Sequence, residues 1–408
     1  MKPVIYALVI TFLWTVICNA KSLLDSAYQY QKLKDHEKAI GFCERFVQVK
    51  SISEKQKSEA YFAMGFSYNK LGQPSNAIQS YLLSIDAYDH PKCLARAHYN
   101  IAYIYDTFSH YEQAIEHYNI ALSLTDSPAK RGKYLVARAI SYKYIGQYSE
   151  ALNDVLEAQD IALTDIENNR RLLYNAYNQR GLIKVAAGDF GEAIEYFNYA
   201  NDLGLHIKSY VNIGLTYTKA EEDQKAIEAF TNALAKKQNK DQRFKTYQAL
   251  GELYVKFQNH EKAAQYLKMA EDQYDSLLYP DGDDIRLFST FGTFYKHSGD
   301  SAKSIHYFEK SANLYMTLEE VKSELLINAK KMELENTEKQ FYARQKAEQE
   351  KQTALIIGGV TFGVLLLIII TLVYVYKTRR NRVERMKEDA RSGIRTVLNI
   401  SDELVDTE

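Results

Sequence analysis

Between Lys21 and about Tyr315 small and apolar residues return at intervals of three, four and seven, with polar residues between them. These spacings put side chains on one face of an α-helix. The pattern is sharpest in YNIAYIYDTFSHYEQAIEHYNIAL (Tyr99–Leu122), where Ala102, Tyr105, Ala114, Tyr118 and Ala121 form one set. The set returns as Gly65, Tyr68, Ala77, Tyr81, Ser84; as Gly181, Lys184, Ala193, Phe197, Ala200; and as Gly214, Tyr217, Ala226, Phe230, Ala233. It continues as Gly251, Tyr254, Ala263, Leu267, Ala270 and as Gly292, Tyr295, Ser304, Phe308, Ser311. Two looser copies are Ala27, Tyr30, Ala39, Cys43, Phe46 and Ala139, Tyr142, Ala151, Val155, Ala158. The lead residues stand 38, 37, 37, 42, 33, 37 and 41 residues apart, so eight copies of one unit fill this stretch.

The residue types follow from packing. Each copy predicts two amphipathic helices, with Gly72, Gly146, Gly188 and Gly299 in the turn between them, where positive φ ends the first helix. The small lead residue and the alanine of the second helix let two backbones approach, and the tyrosines and phenylalanines fill the space between neighbouring pairs. One pair cannot bury this face alone; stacked neighbours can.

The sets resemble the tetratricopeptide repeat family over residues 21–315. Tyr61, His98, Tyr247 and Phe288 stand where the family usually has tryptophan, Lys184 replaces a tyrosine, and Ser304 replaces an alanine. Most copies exceed the family's 34 residues, which implies longer helices or longer connections. The resemblance implies an all-α superhelical solenoid of about eight helix pairs, whose first helices line a groove for a protein or peptide ligand. On the groove side it places Arg96, Tyr99, Asn100, Tyr103, Lys133, Asn178, Lys208, Asn212, Lys245 and Gln248.

Beyond the repeats the pattern changes. Residues 316–351 predict a long charged helix, with Leu314, Leu318, Val321, Leu325 and Met332 in a heptad seam and Asn328 at one seam position. This front half caps the open end of the solenoid, pairs with a second chain as a coiled coil, or does both. Residues 352–376 carry no charge over 25 positions. As a helix they reach about 37 Å, enough to cross a bilayer core of about 30 Å. Tyr374 and Tyr376 suit the interface, and Lys377, Arg379, Arg380 and Arg382 form a basic anchor that the positive-inside rule places in the cytoplasm. In the tail, residues 377–408, Val383, Met386, Ala390, Ile394 and Val397 keep helical spacing. This predicts an amphipathic helix that pairs with a second copy or with a cytoplasmic output protein, or a basic segment held by anionic lipids.

At the other end, Lys2, the apolar run Val4–Ile17 and Cys18-Asn19-Ala20 read as a signal peptide, residues 1–20. Signal and basic anchor agree on an inner-membrane, single-pass protein with a periplasmic repeat domain. The only glycosylation triplet, Asn399-Ile400-Ser401, falls on the inner side and so favours bacteria over an exported eukaryotic chain. Cys43 and Cys93 remain after the signal; a bridge is permitted in export, but Cys43 falls on a buried face, where a thiol acts as a small hydrophobe.

Composition adds few constraints. The formal net charge of −1 argues against a nucleic-acid partner, and only five prolines fit an all-helical chain. No HExxH, CxxC or glycine-rich phosphate loop occurs among the nine scattered histidines, so the reading is of a non-enzyme without metal or cofactor. His110 and His117 are spaced to share a helix face, as packed or solvated residues.

The layout resembles the sensory half of a group of Bacteroidetes membrane proteins with periplasmic tetratricopeptide repeats and one span. Those usually continue into a histidine kinase transmitter or a DNA-binding domain. Here no histidine follows His306. The expectation is a receptor whose tail signals to a separate protein, or a truncated sensor. The alternative is a membrane-anchored scaffold for assembling envelope complexes.

Overall fold

The computed structural model describes residues 22–204, 208–236, 239–274 and 282–405. The signal-peptide expectation lies outside them. Among the described residues every regular element is a helix. The helices pair in chain order: α1 (22–32) with α2 (His36–Val47), α3 (Glu54–Lys70) with α4 (Pro74–Ala87), and α5 (Pro91–Thr107) with α6 (Tyr111–Ser123). Next come α7 (Pro128–Tyr144) with α8 (Tyr148–Leu163), α9 (Ile166–Ala187) with α10 (Phe190–Asp202), and α11 (Lys208–Lys219) with α12 (Asp223–Leu234). Then follow α13 (Lys240–Lys256) with α14 (His260–Gln273), and α15 (Gly282–His297) with the start of α16 (Ser301–Val405).

The chain explains these boundaries. Pro74, Pro91 and Pro128 open α4, α5 and α7, where a missing N–H costs no helical bond. Ser53 and Asn239 close capping boxes with Gln56 and Gln242. Between the two helices of each pair one residue is left-handed. Four are the expected glycines, Gly72, Gly146, Gly188 and Gly299, and the others are Lys34, Ser109, Glu221 and Gln258, at φ of 54° to 65°. The length beyond a 34-residue unit goes partly into helix, most visibly in α9 with its 22 residues.

The repeated set is the core. Ala102, Tyr105, Ala114, Tyr118 and Ala121 are all buried, as are Gly181, Ala193, Phe197 and Ala200 of another copy. The two substitutions in the set have local causes. Ser304 donates from Oγ to the Gly292 carbonyl at 2.9 Å, and Lys184 turns outward to Asp189 at 3.1 Å and Glu192 at 2.9 Å. Cys43 and Cys93 are free thiols, and burial raises the Cys43 pKa to about 12.

The chain divides into two compact units, Met1–Met332 and Glu333–Glu408. In the first, the predicted seam of α16 has a partner within its own chain. Leu314 packs against the cluster that includes Phe288 and Phe291 of the last repeat. Farther on, Val321, Leu325 and Ala329 join the cluster of Ala77, Ile78, Tyr81, Tyr105 and Phe108 in repeats two and three, with Leu325 and Ala329 each 1% exposed. His110 Nε2 donates to the Lys322 carbonyl at 2.9 Å, and Asn328 Nδ2 to Ser75 Oγ at 3.3 Å. Repeats two and three thus cover Val321, Leu325 and Ala329 of this segment. In the second unit, the stretch Phe341–Glu388 holds a window of mean hydropathy 2.8, none of it buried. It is long and apolar enough to cross a membrane.

Candidate functional site

The ten residues expected to face a ligand lie on the first helices of their pairs, and the structure sorts them into three groups. Arg96, Tyr99, Asn100 and Tyr103 lie on α5 and Lys133 on α7. Tyr99 stacks on Tyr134 with centroids 4.6 Å apart, Lys133 Nζ stands 4.4 Å from the Tyr99 ring centre, and the Arg96 guanidinium covers Phe62 at 3.7 Å. Burial, with Arg171 and Lys130 adding repulsion, lowers the Lys133 pKa. Asn100 Nδ2 bonds back to the Arg96 carbonyl at 2.7 Å, and the Tyr103 ring is 49% exposed. These five residues form one aromatic and cationic patch.

The second group ties first helices to one another. Asn212 Nδ2 donates to Asn178 Oδ1 at 2.8 Å across α9 and α11, and both residues are buried. Gln248, fully buried on α13, donates from Nε2 to the Asp283 carbonyl at 2.9 Å and accepts from Arg286 at 3.4 Å. An unpaired amide in such a place would cost about 1–3 kcal/mol, so these bonds hold the stack in register.

The third group is charged. Lys245 reaches Asp283 at 3.3 Å and Asp241 at 3.4 Å; burial pulls its pKa down, but these two carboxylates outweigh burial and hold it up. Lys208 lies at the start of α11, where desolvation of its ammonium group and repulsion from Lys245 lower its pKa, with Asp241 and Asp283 opposing.

The first helices also border a cleft that, Asn212 apart, lies outside those ten residues. It has a volume of about 380 Å³ and opens where the ends of α7, α9 and α11 meet, lined by Lys143, Tyr144, Tyr148, Leu182, Val185, Ala186, Asn212, Leu215, Thr216 and Lys219. In register its signal is present: Lys143 and Tyr144, Val185 and Ala186, and Lys219 stand four or five residues beyond the lead residues Ala139, Gly181 and Gly214. Lys143 Nζ sits 4.3 Å from the Tyr144 ring centre, and Tyr144 stacks on Tyr111 at 4.8 Å.

His117 faces His98, not His110. The Nδ1 atoms of His98 and His117 are 2.8 Å apart and their rings stack, while His110 lies before the first turn of α6. Among the described residues no three His, Cys, Asp or Glu side chains gather as metal ligands. In the second unit Lys377, Arg379, Arg380 and Arg382 are exposed on α16, directly after the apolar run.

Two family models described as tetratricopeptide repeat match the chain, one at residues 58–89, 95–127 and 174–203, the other at 209–243. A tetratricopeptide repeat protein from Parabacteroides merdae is similar in structure, with a TM-score of 0.53 and 15% identity, covering 70% of this chain and 98% of that one. A Rap protein complexed with competence and sporulation factor matches at TM-score 0.45 and 13% identity, over 74% of this chain and 99% of its own. Pseudomonas aeruginosa pilF matches at TM-score 0.39 and 20% identity, over 55% and 95%. At these identities the likeness is one of fold. No curated protein sequence matches the chain.

Proposed function

The chain is a tetratricopeptide repeat protein with one helix able to cross a membrane, and from this premise we propose a single-span receptor whose exported groove binds a protein or peptide. The basic cluster Lys377–Arg382 supports an inward tail, and the leader-like residues 1–20 support export of the repeats. The tail, residues 377–408, passes the signal to a separate cytoplasmic protein.

One observation carries the receptor reading. Leu325 and Ala329 are buried among Ile78, Tyr105 and Phe108, and the same segment leads along the chain to the apolar run. A ligand that repacks repeats two and three therefore alters the hold on the segment that precedes the span. It shifts the balance only by as much as it binds the two packings differently.

The test is a pull-down from crosslinked cells, comparing the full chain with one ending after Arg382. A cytoplasmic protein lost only from the shortened chain is the expected result. Identical partners, all exported, would replace the receptor by a membrane-anchored scaffold whose tail is only an anchor.

A further inference from the structure

A histidine pair stands beside the contact of α16 with repeats two and three. The Nδ1 atoms of His98 on α5 and His117 on α6 lie 2.8 Å apart. At that distance one nitrogen donates and the other accepts, so a single proton lies between them. A second proton would set two N–H groups head to head, and the rings must then part.

The pair is linked to α16 through one aromatic ring. Tyr105 stacks on His117 with centroids 5.6 Å apart and meets His110 edge-on at 6.3 Å. His110 Nε2 in turn donates to the Lys322 carbonyl of α16 at 2.9 Å. Tyr105 is buried and belongs to the same apolar cluster as Leu325 and Ala329. Rings that part at the pair therefore press on Tyr105, and Tyr105 borders the face on which α16 rests.

The neighbouring charges do not offset a second proton. Burial and then His117 act on His98, and together they lower its pKa to about 4. Asp106 of α5 is buried and accepts from Ser141 Oγ of α7 at 2.6 Å. On α16 Lys322 pairs with Glu319 at 2.9 Å. From α4 come Ala77, Ile78 and Tyr81, none of them charged near neutral pH. His110 Nε2 donates to a carbonyl whether its ring is neutral or charged, so a proton on His110 strengthens the contact rather than opening it.

We infer that the His98–His117 pair is an acid-operated latch on α16: a second proton drives the rings apart, displaces Tyr105 and releases residues 321–332 from repeats two and three while the repeats stay folded. Release gives His98 room to reach water, so protons favour the released form. Between pH 6.5 and about 4 that form holds a proton which the latched form lacks, and each pH unit of the fall raises its share by up to about tenfold. The proton is an input separate from any ligand of the repeats, and the latch does not depend on what they bind.

The test is amide exchange on the full chain in nanodiscs, read as protection factors at about pH 7.5 and about pH 5. The chains compared are the wild type, H98F, H117F and the control H297Q, whose histidine is exposed at the end of α15. The expected result is that protection of residues 321–332 falls roughly tenfold or more at the lower pH in the wild type and in H297Q, with α5 and α6 losing less. In H98F and H117F it stays level, and either variant suffices if the other fails to fold. A loss that persists in H98F or H117F, or that disappears in H297Q, overturns the latch. The wild type also decides by itself: no loss at 321–332, or a loss shared equally by α5 and α6, contradicts release from folded repeats.

Discussion

The ring of Phe197 occupies the space that a methyl group on Gly181 would need: a Cβ there would lie 2.5 Å from Phe197 Cε1. The same relationship joins Gly65 to Tyr81 at 2.8 Å, Gly214 to Phe230 at 2.5 Å, Gly251 to Leu267 at 2.7 Å and Gly292 to Phe308 at 2.8 Å. The first helix gives up its side chain so that the large side chain of the second can reach its backbone. Gly181→Ala therefore overpacks the repeat, at a cost of about 1–3 kcal/mol less about 1 kcal/mol of helix propensity. Gly191→Ala, with nothing within 4 Å of its Cβ, carries no such cost. Denaturation midpoints of the two variants separate these cases; equal midpoints contradict the pairing.

Four turns hold a left-handed residue that is not glycine, among them Gln258 at φ 54°. The strain is about 1–2 kcal/mol, and glycine's extra freedom in the unfolded chain returns part of it. Gln258→Gly is expected to raise the melting temperature by about one degree, while Gly188→Ala, at φ 87°, lowers it. A fall with Gln258→Gly rules out strain relief at that turn.

Burial, with repulsion from His117, lowers the His98 pKa from 6.5 to about 4. Between those values the unfolded chain binds a proton that the folded chain does not. Stability thus drops as the pH falls from about 6.5 and levels off below about 4. His98→Phe keeps the stacking surface and removes the titration. The difference in melting temperature between wild type and variant should change across this window and be flat above it; parallel curves contradict the assignment.

The repeats were legible because their defining pairs are local. Gly181 and Phe197 are sixteen residues apart and obey helical spacing, so residue type alone reveals the contact. The cover of α16 was not legible in this way. The heptad seam marks Val321 and Leu325 as buried, but their partners lie near Ser75 and His110, 253 and 212 positions away from the residues they bond, and no period links them. The groove was half legible. The resemblance puts Asn178 and Gln248 on the ligand side, yet both are buried and hydrogen-bond to the neighbouring first helix, a contact that residue type alone does not reveal. The Lys143–Lys219 cleft emerges only when three copies are stacked in register.

The α16 contact has its own test. Ala329 is 1% exposed against repeats two and three, and a charge there cannot be solvated. Ala329→Glu should release residues 321–332 while the repeats stay folded, seen as faster amide exchange confined to that segment. Unchanged exchange there would falsify the packing.

The most direct measurement of the proposed architecture is its topology. Alkaline phosphatase is fused after Lys351 and, separately, after Arg382, and each fusion is assayed in intact bacterial cells. An active fusion after Lys351 and an inactive one after Arg382 place the repeats outside and the tail within. The reverse pattern, or two equally active fusions, contradicts a receptor that spans the membrane once with its groove exported.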